Sequence, residues 1–255
     1  MRNIGLLIQY DGTAYNGWQI QNDGNTIQGI IESGLEKITG EDIHVIAAGR
    51  TDAGVNALGQ CACFMTVSSL APDVLREALN AHLPADIRIM SAEEADAGFH
   101  ARFAAVSKSY VYLISTSRIV SPFLQRYIWR LPQKLDINAM AEAIKLLEGT
   151  HDFSAFRGSG CGAKTPVRTI TEASLEERDS LEFVTLQISG EFLKFRFEGD
   201  AFLRHMVRNM VGTLVEIGRG RMEPGIINKL FSEGDRRSAG PTAPAQGLFL
   251  EKINY

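Results

Sequence analysis

"TIQGIIESGLEKI", residues 26–38, places apolar side chains at Ile27, Ile30, Ile31, Leu35 and Ile38. That spacing follows the period of a helix with one apolar face. Thr26 is suited to cap the first-turn N–H groups, and Gly40 stands just past the end, where a helix stops. The flanking segments have a shorter period. "NIGLLIQY" (3–10) before the helix, and "HVIAAG" (44–49) and "GQCACFMTV" (59–67) after it, read as strands. "PDVLREALNAHL" (72–83) is a second helix, opened by Pro72 and stopped before Pro84, and "DIRIMSAEEA" (86–95) is a strand. The order β-α-β-β-α-β is that of a ferredoxin-like unit, an antiparallel sheet with helices on one face.

The pattern approximately recurs. "SKSYVYLIST" (107–116) reads as a strand and "DINAMAEAIKLLEG" (136–149) as a helix with Asp136 as N-cap and Gly149 past its end. Strands are expected over 165–178, 180–190, 191–199 and 247–255, and helices over 201–218 and 224–233. There is no close self-match in sequence, so the recurrence rests on element order. The expected class is α+β: two ferredoxin-like halves, 1–105 and 106–255, joined into an extended, mostly antiparallel sheet with an active-site cleft between them. No linker rich in Pro, Gly or Ser separates the halves, so they are expected to move as one body.

The 255 residues are 45% hydrophobic and 22% charged, the balance of a soluble globular protein. The N-terminal "MRNIGLLIQYDG" is neither a signal peptide nor a membrane span, and the uncharged stretch 53–72 is broken by Gly54, Asn56, Gly59, Gln60, Ser68 and Ser69. Cys61, Cys63 and Cys161 suggest no disulfide framework or zinc site, and a cytoplasmic location is expected. The net charge of −4 argues against a polyanionic partner, but the distribution of charge argues for one. Residues 97–135 carry Arg102, Lys108, Arg118, Arg126, Arg130 and Lys134 without an acid; 153–171 carry Arg157, Lys164 and Arg168; 201–215 carry Arg204, His205 and Arg208. Segregated positive charge attracts a phosphate backbone if these runs converge in space, and is a set of solvated faces if they do not.

Within residues 43–72 only Arg50 and Asp52 are charged, in "AAGRTDAGVNALGQ" (47–60). Gly49, Gly54 and Gly59 permit tight turns and close approach of a ligand. An aspartate withdrawn from water tends to take up a proton unless a cation holds it charged. Arg50 and Arg208 are both available for that role. Arg208 lies where Phe202, Met206, Met210 and Leu214 form one stripe and Arg204, Arg208 and Gly212 another. Tyr110 and Tyr112 share a strand face, where aromatics either stack bases or pack a core, and Trp18 presents the same choice. "YDGTAYNGWQIQN" is not a P-loop, no His spacing suggests a metal, and no G-x-S-x-G nucleophile occurs.

"YDGTAYNGWQIQ", "GRTDAGVNALGQ", "FHARFAAVSKSYVY", "HDFSAFR", "FLRHMVRNMVG" and "TAPAQGL" resemble, in order and spacing, motifs of the TruA family of tRNA pseudouridine synthases across essentially the whole chain. The resemblance implies conversion of uridine to pseudouridine at positions 38, 39 and 40 of the tRNA anticodon stem-loop, by a homodimer that uses no metal or other cofactor. It implies that Asp52 is the catalytic aspartate, Arg208 its basic partner and Tyr110 the aromatic against the target base. Arg50 matches an arginine that helps extrude the base, and Leu248 an apolar contact near the site. Gly54, Arg102, Lys108, Arg168 and Arg204 are further candidates for substrate or RNA contact. Asn56 departs from the family, which commonly has histidine there. The rival reading, a noncatalytic RNA-binding module resembling an RRM, lacks the RRM signature and leaves Asp52 unexplained.

Overall fold

Strand β1 (Arg2–Tyr10) buries Ile4, Leu6, Ile8 and Tyr10 and leaves Gly5, Leu7 and Gln9 half-exposed, the alternation of a strand with one face against a core. Helix α1 (Ile27–Thr39) begins where the Thr26 hydroxyl accepts the Gly29 N–H and ends at Gly40, which takes the left-handed conformation at φ 72°. Strands β2 (Ile46–Ala47) and β3 (Asn56–Thr66), helix α2 (Pro72–His82) and strand β4 (Ile87–Ala95) follow. The computed structural model describes residues 1–21, 25–183 and 186–255.

The strands are ordered β4-β1-β3, with β2 also on β3, and all these pairings are antiparallel. This is the ferredoxin-like arrangement. Ile27, Ile31 and Leu35 of α1 and Leu75 and Leu79 of α2 are fully buried, as are Ile4, Ile8 and Ile87 of the strands. The strand expected over 44–49 is reduced to two residues for a local reason. Glu32 Oε1 accepts the Val45 N–H at 2.8 Å, and Gln28 Nε2 donates to the Val45 carbonyl at 3.2 Å. Side chains of α1 thus take the backbone groups that a longer ladder would need.

The first packing unit comprises residues 1–108 and 249–255, the second residues 109–248. The last strand, β10 (Leu248–Asn254), explains the return of the C-terminus to the first unit: it runs parallel to β3, with Phe249 opposite Asn56 and Leu250 opposite Ala57.

The second unit holds most of β5 (Ser107–Ser115), then β6 (Trp129–Arg130), α3 (Ile137–Lys145), β7 (Gly149–Asp152), β8 (Val167–Phe183), β9 (Leu186–Gly199), α4 (Met206–Gly218) and α5 (Ile226–Glu233). Its strands are ordered β5-β9-β8-β7, with β6 parallel to β5. The strand expected over 180–190 does not exist as one element. Residues 180–183 finish β8, residues 186–190 begin β9, and they pair antiparallel, with Ser180 opposite Ser189. Helix α3 stops at Lys145, four residues short of the expected Gly149, which instead opens β7 at φ 107°.

Helix α4 starts at Met206, not at Ala201. The Arg204 carbonyl accepts the Gly158 N–H at 2.8 Å, so it is taken before a helical turn forms on it, and His205 adopts a left-handed φ of 61°. From Met206 to Gly218 every helix residue except Arg208 is buried. A helix buried almost all round is a core element, and its one polar exit is a marked position. Among the described residues, no helix is long and apolar enough to cross a membrane.

Replacing Leu35, fully buried in α1, by Ala should lower the unfolding free energy by about 2–5 kcal/mol. Urea titration followed by circular dichroism measures this; a loss under about 0.5 kcal/mol, the size of a surface change, would place Leu35 outside the core.

Candidate active site

Asp52 lies on the loop between β2 and β3, with a half-buried side chain. The backbone around it is held from several sides. Gln60 of β3 donates to the Gly49 carbonyl at 2.7 Å, and the Ala48 N–H donates to the Cys61 carbonyl at 2.8 Å. The Thr51 hydroxyl meets the Tyr10 hydroxyl at 2.8 Å, and burial pushes the Tyr10 phenol up to about 12, so it stays a neutral partner at ordinary pH. Beyond Asp52 the chain turns: the Val55 N–H donates to the Asp52 carbonyl at 3.1 Å, and Gly54 takes φ 76°.

The loop 11–18 backs this turn. The Trp18 N–H donates to the Thr51 carbonyl at 3.0 Å and the Gly54 N–H to the Tyr15 carbonyl at 3.2 Å. Two glycines make the approach possible. A Cβ on Gly17, where φ is 89°, would lie 2.6 Å from the Thr51 carbonyl oxygen, and one on Gly12 would lie 2.0 Å from that of Val55. Tyr15 is tied in turn to the Asp86 carboxylate through its hydroxyl. Asn56, where the resemblance leads one to expect histidine, is buried and accepts the Gly12 N–H at 2.9 Å. Its side chain fastens the two loops. Trp18 is 1% exposed, so it packs in the core and is no stacking platform.

In the second unit, Arg208 is the half-buried residue of α4. Its Nε donates to the Ala243 carbonyl at 2.7 Å, and its own carbonyl accepts the Ala243 N–H at 3.1 Å. Its charge also reaches the buried Tyr112, whose phenol burial pushes well above the ordinary range while Arg208 pulls it back in part. Tyr110, two residues earlier on β5, is buried, with its ring edge-on to Phe202 at 4.9 Å between centroids. Leu248 is buried at the start of β10.

The remaining candidates divide by what they touch. Arg50 is exposed beside Asp52 in the chain. Lys108 donates from Nζ to the Ala48 carbonyl at 2.6 Å, which makes it a further tie on the Asp52 loop. Arg102 is exposed, its guanidinium 5.7 Å from the Phe103 ring. Arg168 Nη1 donates to the Thr165 carbonyl at 2.9 Å. Arg204 precedes α4, so it does not share a helical stripe with Arg208; it donates to the Ser159 carbonyl at 3.2 Å. Sequence reasoning did not single out Tyr10, Thr51 or Gly17. The repeated glycines of "DGTAYNGW" were the available signal, because a turn that needs glycine twice is pressed against something.

The model of the family described as tRNA pseudouridine synthase matches residues 6–104 and 143–255. The chain belongs to that family. It is 46% identical over 255 residues to "tRNA pseudouridine synthase A" of Thermodesulfovibrio yellowstonii, covering 100% of both chains. The protein of the same name from Acetivibrio thermocellus is also 46% identical over 255 residues, again with 100% of each covered. "tRNA pseudouridine synthase A 2" of Clostridium tetani is 43% identical over 256 residues, covering 100% of this chain and 99% of the relative. A solved H/ACA RNP bound to a substrate RNA containing 2'-deoxyuridine aligns at a TM-score of 0.32 and 15% identity, over 73% of this chain and 38% of that one, a likeness too slight to bear on the fold. As a member of the tRNA pseudouridine synthase family the enzyme is an isomerase that forms pseudouridine in tRNA.

In this synthase Gly17→Ala should strain the backbone at φ 89° and push the loop 11–18 away from Thr51, at a cost of roughly 1–3 kcal/mol. Thermal unfolding checks the stability and a tRNA turnover assay the rate; unchanged values in both would show that the two loops are not fastened together.

Proposed function

We propose that this enzyme isomerises uridines 38, 39 and 40 of the tRNA anticodon stem-loop, with Asp52 as the catalytic carboxylate. The observation that carries this reading is a half-buried carboxylate on a loop bound on both sides, in a stretch whose one other charged residue is Arg50. A side chain so mounted keeps its direction when a substrate arrives, which is what oriented catalysis requires.

The reaction breaks the C1′–N1 bond, turns the uracil and joins C5 to C1′. N1 gains a proton and C5 loses one, so no external reagent enters. The Asp52 carboxylate assists departure of the base, either by capture of C1′ or by removal of a sugar proton. Arg208 serves in this reading as the cation that keeps the carboxylate charged as water is displaced, and Tyr110 as the aromatic that packs on the target base and takes part in removing the C5 proton. Arg50 fills the stem as the base swings out, offsetting part of an unstacking cost of a few kcal/mol. Three neighbouring targets require recognition by shape and backbone, for which Arg102, Arg168 and Arg204 supply charge and Gly54 a close backbone approach. Leu248 lines the site. The resemblance further supports a homodimer holding one tRNA across both subunits, acting in the cytoplasm.

Incubating the enzyme with an unmodified tRNA transcript carrying uridine at 38, 39 and 40, then mapping pseudouridine by chemical labelling, tests the assignment. Label is expected at those positions; label confined to other sites would contradict it. Arg208→Leu is expected to slow the reaction about 100-fold or more, the scale for losing a group that stabilises charge at a reacting centre. A rate within twofold of the parent would remove Arg208 from the machinery.

A further inference from the structure

The segment 239–247, which leads from α5 to β10, lies as a strap along α4. At Gly212 the contact is so close that a Cβ would fall 1.7 Å from the Pro241 carbonyl oxygen. The Gly240 N–H donates to the Thr213 hydroxyl at 2.9 Å, and the Tyr112 hydroxyl donates to the Pro244 carbonyl at 2.7 Å. Arg236 donates from Nη1 to the Gly240 carbonyl at 2.9 Å. The strap is thereby fixed against both α4 and β5.

Its middle forms two adjacent rungs with α4. In one, Ala243 exchanges hydrogen bonds with Arg208: the backbone N–H goes to the Arg208 carbonyl, and the Ala243 carbonyl receives the Arg208 Nε–H at 2.7 Å. In the other, the Thr242 hydroxyl donates to Asn209 Oδ1 at 2.7 Å, and Arg236 Nη2 donates to the same oxygen at 3.0 Å. Asn209 is fully buried, and its amide donates to the Phe156 carbonyl at 2.7 Å. Two donors from the strap side and one acceptor behind leave that side chain a single orientation.

A guanidinium is a planar fork, so holding Nε against a carbonyl narrows the directions open to the two terminal nitrogens. We infer that Thr242, Asn209 and Arg236 are positioning residues that set the direction of the Arg208 guanidinium through the strap. The inference rests on the proposed catalytic role of Arg208. Catalytic groups displaced by about 1 Å lose up to about 100-fold in rate, so loosening the second rung is read in the chemical step and not in tRNA binding.

The test compares single-turnover rate constants, tRNA dissociation constants and melting temperatures. Thr242→Val removes one hydroxyl from an exposed residue and is expected to slow the chemical step about tenfold, with tRNA affinity and melting temperature unchanged. Thr242→Ser, which restores the donor, is expected to recover the rate. Arg236→Gln, which removes the other donor to Asn209 Oδ1 and also the tie to Gly240, is expected to slow the chemical step with tRNA affinity unchanged and a lowered melting temperature; weaker tRNA binding at an unchanged rate would make Arg236 an RNA contact instead and overturn its assignment. Adding Thr242→Val to Arg208→Lys should slow that variant by no more than about twofold, because the rung would then have no guanidinium to aim. Independent, multiplying effects would overturn the inference, as would a parental rate in Thr242→Val. If Arg208→Lys itself turns over normally, it is the catalytic reading of Arg208 that falls.

Discussion

The first unit is organised around the contact of two loops at backbone distance. Residues 11–18 and 48–55 meet through amide and carbonyl groups, with no side chain between them at Gly12 and Gly17. Backbone hydrogen bonds between the two loops limit their freedom, because a donor or acceptor withdrawn from water loses its partner if the bond is unmade. Asp52 is carried on that junction with its side chain half open to the exterior. The chemistry proposed for it depends on this combination of a fixed main chain and an accessible carboxylate.

A related economy appears in the second unit. α4 is buried on nearly all sides, and its one half-exposed residue is the arginine assigned to the reaction. The strap lies close against the helix at Gly212, where a side chain would meet the Pro241 carbonyl. Both proposed charged groups are therefore mounted on parts of the chain that hydrogen bonds or packing hold, while Arg102 and Arg204 lie exposed. Fixed mounting of the proposed reacting groups, with further positive charge at the periphery, suits an enzyme that must hold a large polyanion and act on one bond.

Much of this was legible in the residues. Thr26, Gly40 and Asp136 marked helix ends correctly, since caps are local chemistry. The lone pair Arg50 and Asp52, and Arg208 among mostly apolar neighbours, stand out by contrast in the sequence. What escaped was decided by distant partners. Gln28 and Glu32 shorten β2 by taking the backbone groups of Val45, and Gly158 sets the start of α4 by binding the Arg204 carbonyl. The long β8–β9 pairing absorbed a segment whose alternation looked like a strand of its own. The return of β10 to β3 could not be read from residues that are almost 200 positions apart. Asn56 reads in the sequence only as a departure from the family's usual histidine, and in the fold it is a fastener.

The most direct measurement is tritium release from C5-labelled uridine in tRNA by Asp52→Asn, alongside its tRNA dissociation constant. That change keeps the shape of the side chain and removes its charge. Binding like that of the parent with no release above background is expected. Release at a rate comparable to the parent enzyme would contradict the assignment of the carboxylate at 52 to the reaction.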